Sequence, residues 1–326
     1  MSAPEPIPCE ARRCPVCGSE ETIEWLRAPD RFHKRKQLFQ LVRCASCSIV
    51  WLADAPRADE MAYHYGDEYH QVISGVGEAE VLRRWQKQRR LLSKFKTEGS
   101  LLDLGCSSGS FLSTFKDGAW DLYGIEIEPK QADRARQLTP AHVFTGDLFD
   151  APFGPESFDV VTGFHVLEHL DRPQERLAKI YEWLRPGGIL YLGIPNIASW
   201  EASLFKSYWF GLELPRHLYH YSPESLRRLT SSAGFRECWL KTPGSYATHS
   251  IRYMIDKVVG TGTGAATDSS RRRAGIMAAS FMLKAYRVAV GRPLAKIAEF
   301  ADAGANIEAV FQKQAHSANA LGRAKS

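Results

Sequence analysis

Between residues 99 and 196, short apolar runs alternate with stretches whose apolar residues recur every three or four positions. Leu101–Leu104, Asp121–Glu128, Ala141–Phe149 and Ile189–Asn196 read as strands, and Phe158–Leu170 as a strand with its loop. The segments SFLSTFKDG (110–118), PKQADRARQL (129–138) and QERLAKIYEWLRPGG (174–188) read as helices, the last ended by Pro-Gly-Gly. Strands alternating with helices imply a parallel, doubly wound sheet, whose ligands sit beyond the carboxyl ends of the strands. Further on, RECWLKTPG (236–244) and NIEAVFQKQ (306–314) read as two more strands. A long excursion, residues 245–304, separates them.

The first strand runs into the turn Asp103-Leu104-Gly105-Cys106-Ser107-Ser108-Gly109. A phosphate-binding loop needs Gly-Lys-Ser/Thr, and no lysine is here. A dinucleotide turn read from Gly105 needs glycine at 107 and 110, and both are serine. Gly105 and Gly109 let backbone approach a ligand, and the Asp103 carboxylate favours an amino-bearing one. Glu126 ends the second strand where a ribose diol would lie, with Glu128 as its rival. Asp147 ends the third, placed to accept from an exocyclic amine. This set of acids suits S-adenosylmethionine.

DLGCSSGSF, GIEIE, TGDLF, FDVVTGFHVLEHL and LRPGGILYLGIPN, in this order over residues 99–196, resemble the motif series of class I S-adenosylmethionine-dependent methyltransferases. The resemblance implies a seven-stranded, mostly parallel Rossmann-like α/β sheet, with NIEAVFQKQ (306–314) as its seventh, antiparallel strand. It puts Gly105 and Gly109 beside the methionine moiety, Glu126 on the ribose hydroxyls, Asp147 and Leu148 near adenine, and His165 against the cofactor.

Four of the seven cysteines form two pairs, Cys14/Cys17 and Cys44/Cys47, with 26 residues between them. Each pair can aim two sulfurs at one ion, and two pairs complete a tetrahedral, closed and therefore structural Zn²⁺ site. Disulfides are the alternative. Residues 1–56 thus read as a small zinc ribbon, 57–98 as a helical connector, 99–314 as the methyltransferase domain with its helical insertion at about 245–304, and 315–326 as a flexible tail. The basic run RFHKRK (31–36) reads as a solvated hairpin tip or a phosphate contact. In the connector, EAEVLRRWQKQRRLLSKFK (78–96) carries an apolar stripe among seven basic residues. The stripe is expected to pack on the next domain; a membrane-surface helix is the alternative.

A ribbon joined to such a core is similar to methyltransferases of sugar and envelope-polysaccharide biosynthesis, including sugar C-methyltransferases. In those, one histidine follows the fourth strand and another lies in a histidine-rich loop. The corresponding residues are His169 in HVLEHL, and His217 with His220 in LPRHLYHYSPESL. A helix capped by Ser222, with Pro223 first and Gly234 past its end, would fix that loop over the cofactor pocket. Histidine suits a base that relieves the acceptor of its proton. For His169 a hydrogen bond to Glu168 is the structural alternative. Trp200, Tyr208, Trp209 and Tyr219 are either core or a stacking wall. The family's acidic residue before the second histidine is Arg216 here, and the family's further C-terminal domain has no counterpart, so O- and C-methylation both stay open.

The expected acceptor is a small molecule, a sugar or a lipid-linked sugar. Net charge is +5, and no run of about 18 apolar residues is present. The expected location is cytoplasmic, with peripheral membrane contact through the basic helix or through RRRAGIMAASFMLKAYRVAVGRP (271–293). An RNA base methyltransferase and a non-catalytic nucleic-acid-binding ribbon are the rivals, but the fourth strand leads to FHVLEHL rather than to an Asn/Asp-Pro-Pro-Tyr-like motif, and there is no firm nucleic-acid signal.

Overall fold

Among the described residues the fold is built from eleven strands: β1 (Thr22–Pro29), β2 (Leu38–Cys44), β3 (Val50–Leu52), β4 (Gly99–Leu104), β5 (Trp120–Glu126), β6 (His142–Thr145), β7 (Phe158–Phe164), β8 (Leu184–Pro195), β9 (Tyr219–His220), β10 (Phe235–Lys241) and β11 (Asn306–Lys313). The computed structural model describes residues 13–65, 78–115, 118–259 and 290–314. The expected tail and the segments 260–270 and most of 271–293 lie outside them. Among the described residues no helix is long and apolar enough to cross a membrane.

Two compact units share the chain. The second takes Asp67–Gly193, Arg227–Leu240 and the chain from Ala309. Its seven-stranded sheet has the order β10-β11-β8-β7-β4-β5-β6. β4 pairs in parallel with β5 and with β7, β5 with β6, and β7 with β8. β11 runs antiparallel to β8, since Gln312 and Lys313 at its end reach the Gly187 and Leu184 carbonyls at the start of β8. The strand order reverses at β4, flanked by β5 and β7, and such a switch point opens a crevice at the carboxyl ends. The expected seven-stranded, mostly parallel sheet is therefore present.

Apolar strand residues build the core of this unit: Leu101, Leu122, Val160, Ile189 and Tyr191, with Phe111, Leu112 and Phe115 from the segment after the glycine turn. Helix Glu78–Leu92 adds Leu92, and Trp85 sets its ring 5.4 Å from that of Phe111 and 5.2 Å from that of Phe164. Trp85, Leu91, Leu92 and Phe95 of the connector's apolar stripe are thus spent on packing, while Leu82, Arg83, Arg84, Lys87 and Arg90 stay exposed.

Two elements differ from the periodicity reading. The expected helix at 110–118 is only a 3₁₀ turn, Leu112–Phe115. The helix expected to stop at Pro-Gly-Gly ends at Trp183, because Leu184 turns extended, and Arg185–Gly188 opens β8. Proline lacks an amide to continue a helix, and Gly187, at φ 74°, takes the left-handed turn that redirects the chain into the strand.

The first unit takes the residues up to Gly66, Ile194–Leu226 and Lys241–Glu308. Its antiparallel sheet has the order β1-β2-β3-β9. The last strand is the histidine segment: Tyr219 pairs with Trp51 and His220 with Val50. Phe39, Leu41, Val50 and Leu52 of the ribbon share one core with Ala202, Phe205, Trp209, Leu212, Leu214 and Ala247. A ribbon too small for its own core therefore borrows apolar side chains from residues 200–214 and 247. Trp209 is buried, which makes it core rather than a stacking wall.

Candidate functional site

In the second unit, Gly105 at φ 60°, Ser107 at φ 48° and Gly109 at φ 78° keep the turn after β4 in left-handed backbone. A Cβ on Gly105 would lie 2.7 Å from Val166 Cγ2, and one on Gly109 3.0 Å from Ala135 Cα. The chain here is as thin as it can be, and the loop after β7 lies against it.

Glu126 and its rival Glu128 have separate tasks. Glu128 caps helix Pro129–Leu138, accepting from the amides of Lys130 at 3.2 Å and Gln131 at 3.0 Å. Glu126 is buried and reaches back to the glycine turn, where Oε2 accepts from the Ser107 amide at 2.8 Å while Oε1 accepts from the Glu128 amide at 2.9 Å. A carboxylate offers about four acceptor sites, so two amide bonds do not exhaust it for a diol.

Asp103 is buried and turned into the sheet, accepting from the Thr162 hydroxyl at 2.6 Å. Burial, with the nearby Glu126 charge adding to it, pushes its carboxyl up to about 7 despite the Thr162 hydrogen bond. Asp147 caps its own turn through the Phe149 amide at 2.8 Å and forms an ion pair with Arg176. Against the cost of burial, that pair and the amide hold it below the usual carboxylate range. Leu148 beside it is buried. Arg176, which periodicity hides as one more helix cation, also holds Asp171 at 2.5 Å and lies 4.0 Å over the Phe149 ring.

His165 follows β7 at φ 58°, a conformation rarely taken by a side-chain-bearing residue. Its amide donates to the Gly193 carbonyl at 2.7 Å, and Nδ1 lies 3.2 Å from Glu168 Oε1. His169 follows on the same loop, half-buried, its amide donating to the Val166 carbonyl. Shallow clefts of this unit lie at the other end of the sheet, one of about 490 Å³ against Lys94, Glu98 and Asp159, away from the glycine turn.

In the first unit, His217 and His220 are buried, and each donates a ring N–H to a main-chain carbonyl: His217 Nδ1 to Gly211 at 2.9 Å, His220 Nε2 to Leu212 at 3.1 Å. His217 Nε2 lies 3.6 Å from a Glu213 carboxylate oxygen. Arg216, the departure from the family pattern, is fully buried and donates to Asp30 at 3.4 Å, to the His64 carbonyl at 3.1 Å and to Glu213 at 3.4 Å. The basic run 31–36 is divided: Arg31 donates to the Ser207 carbonyl at 2.7 Å and covers the Tyr208 ring at 3.7 Å, and His33 bonds Asp30 at 2.9 Å, while Lys34 and Lys36 stay exposed. No motif marks Asp30, because its partners come from residues 33, 64 and 216.

None of the four paired cysteines is joined in a disulfide. Cys14 and Cys47 sulfurs lie 3.3 Å apart, Cys17 and Cys44 3.5 Å, and all four fall within 4.8 Å of one another. A zinc ion bonded at about 2.3 Å sets tetrahedral sulfurs about 3.8 Å apart, so the residues fit the ion. The Val16 amide points at Cys14 and the Cys47 amide at Cys44, as thiolates require. Burial pushes Cys14 up to about 11, whereas at Cys44 the amides of Cys47 and Ser46 outweigh burial and lower it to about 7.

Residues 78–237 match the family described as a methyltransferase domain. A Mycolicibacterium smegmatis protein named a probable S-adenosylmethionine-dependent methyltransferase is 26% identical over 41% of this chain and 51% of its own. A 37.1 kDa protein from a Streptomyces fradiae transposon is 35% identical over 30% of each chain. The malonyl-acyl-carrier-protein O-methyltransferase of Serratia marcescens is 26% identical over 42% of this chain and 52% of its own. The chain thus spans about half the length, or less, of these curated relatives. A solved S-adenosylmethionine-dependent methyltransferase from Archaeoglobus fulgidus overlaps 73% of this chain and 95% of its own at TM-score 0.48 and 17% identity. Glycine turn, Glu126 and family match coincide in one stretch: the chain carries a class I S-adenosylmethionine-dependent methyltransferase domain.

Proposed function

We propose that the protein methylates a sugar or another small-molecule intermediate of envelope polysaccharide biosynthesis, with S-adenosylmethionine as donor. The observation that carries the reading is the Gly105–Gly109 turn tied by its Ser107 amide to Glu126 inside the matched domain. Bound there, the sulfonium supplies an electrophilic methyl group for in-line displacement. Glu126 accepts from the ribose diol, and the thin turn admits the methionine part beside the backbone. Asp147 and Leu148 border the adenine. Four cysteine thiolates hold one structural Zn²⁺ and close the ribbon, leaving no open coordination position for chemistry.

The acceptor class rests on the resemblance of a four-cysteine ribbon, a post-strand histidine and the His217/His220 segment to sugar methyltransferases. A panel of nucleotide-linked and lipid-linked sugars, incubated with the donor and read by mass spectrometry, tests it. A mass gain of one methylene on a sugar supports the reading. Methylated RNA, or salt-sensitive RNA binding with no methylated product, would replace it.

A further inference from the structure

Glu168 is 1% exposed, and its two oxygens are treated differently. Oε1 faces His165 Nδ1 at 3.2 Å, while Oε2 is buried with no hydrogen-bond partner. A buried acceptor without a donor is destabilising, which points to a donor from outside the chain. Its place suggests the use. Glu168 lies on the loop directly after β7, at the carboxyl end of the sheet. Val166 of that loop packs on Gly105 of the ligand turn. The imidazole of His165 keeps about a third of its surface, 34%, open.

A carboxylate can only accept, so Nδ1 of His165 carries the hydrogen and Nε2 the lone pair. The backbone of His165, left-handed at φ 58° and tied to the Gly193 carbonyl, holds the ring there.

We propose that His165 and Glu168 form the acceptor site's proton-accepting pair, and that the group methylated is a hydroxyl. This rests on the methyltransferase reading above and chooses oxygen over carbon within it. The acceptor hydroxyl gives its proton to His165 Nε2 as its oxygen bonds the methyl carbon. The carbon–sulfur bond breaks, its electron pair stays on sulfur, and the donor leaves as the neutral thioether. The imidazolium formed on His165 faces the Glu168 carboxylate, which stabilises it. The unpartnered Oε2 receives a second hydroxyl of the acceptor. A vicinal diol, as on a pyranose ring, satisfies both groups. His217 and His220 each give one ring N–H to a main-chain carbonyl, and the pair does not call on them.

The test uses the full-length protein labelled with [¹⁵N]histidine and saturated with S-adenosylhomocysteine. The ring signals lost in His165→Gln identify the residue. In the native protein they should show a protonated Nδ1 and an unprotonated Nε2. Glu168→Leu should scramble that tautomer, and Glu168→Gln, which keeps an acceptor and the fold, should preserve it. A native Nε2–H tautomer, or one indifferent to Glu168→Leu, overturns the pair. On the sugar panel, His165→Gln and Glu168→Gln should each lower turnover about 10²–10⁴-fold, and Glu168→Gln should leave donor affinity unchanged. Product methylated on carbon, or turnover that falls with His217→Ala but not with His165→Gln, also overturns it. Failure of the parent reading looks different: the native protein would bind no S-adenosylmethionine in calorimetry.

Discussion

Asp103 and Glu126 are both buried carboxylates within one turn of the ligand loop, yet their surroundings oppose one another. Glu126 accepts two backbone amides. Glu126→Ala should weaken S-adenosylmethionine binding by about 1–3 kcal/mol in calorimetry, since hydrogen bonds to a charged group are lost; unaltered binding would remove Glu126 from the site. Asp103 has one hydroxyl for company, and burial raises it to about 7. Its ordinary value in the unfolded chain is about 3.9. A raised acid binds its proton more tightly when folded, so its contribution is fully present below about pH 4 and is lost as pH rises towards about 7. Asp103→Asn, which cannot ionise, should flatten the pH dependence of chemical-denaturation stability across that window, by roughly a few kcal/mol. A mutant as pH-sensitive as the native protein would show that Asp103 is charged throughout.

At the scale of elements, the histidine segment is a strand of the ribbon's sheet, and Arg216 couples it to Asp30, the residue after β1. Both side chains are 0% exposed. Although burial disfavours its charge, Asp30 is held far below the carboxylate range by His64, Arg216 and His33. Removing one partner leaves an uncompensated buried charge. Arg216→Met should therefore cost about 3–5 kcal/mol in urea unfolding, far more than an exposed arginine would; a loss under about 1 kcal/mol would mean that water reaches Asp30. The four sulfurs belong to the same sheet's turns. Elemental analysis should find one zinc per chain, and chelation should unfold the ribbon, visible as loss of hydrogen-exchange protection in β1–β3. Protection that survives complete zinc removal would contradict the structural role.

For the whole molecule, cofactor binding is linked to stability. A ligand at about 100 times its Kd adds about 2.7 kcal/mol to the state that binds it. S-adenosylmethionine at that level should raise the apparent Tm by roughly 5–10 °C, whereas NADH, for which the turn lacks glycine at 107 and 110, should leave it in place. The reverse pattern would return the turn to the dinucleotide binders.

The sequence by itself determined the alternating strands and helices, the order of the motifs, the paired cysteines and the two glycines, because each rests on local rules: periodicity, spacing, and the steric limits of left-handed backbone. It separated Glu126 from Glu128 no further than adjacency allows. Only the tertiary structure gave one a helix cap and the other the glycine turn. It also placed Tyr219–His220 in the ribbon's sheet and buried Arg216 against Asp30, contacts across more than 150 residues that no local pattern encodes. It shortened the helix before Pro186, where a proline and a left-handed glycine begin a strand that the sheet can pair. Adjacency offered Glu168 as a partner for His169, whereas the fold sets its Oε1 3.2 Å from His165 Nδ1. That one carboxylate oxygen would be buried without a donor depends on what packs around it, and packing is decided by the fold.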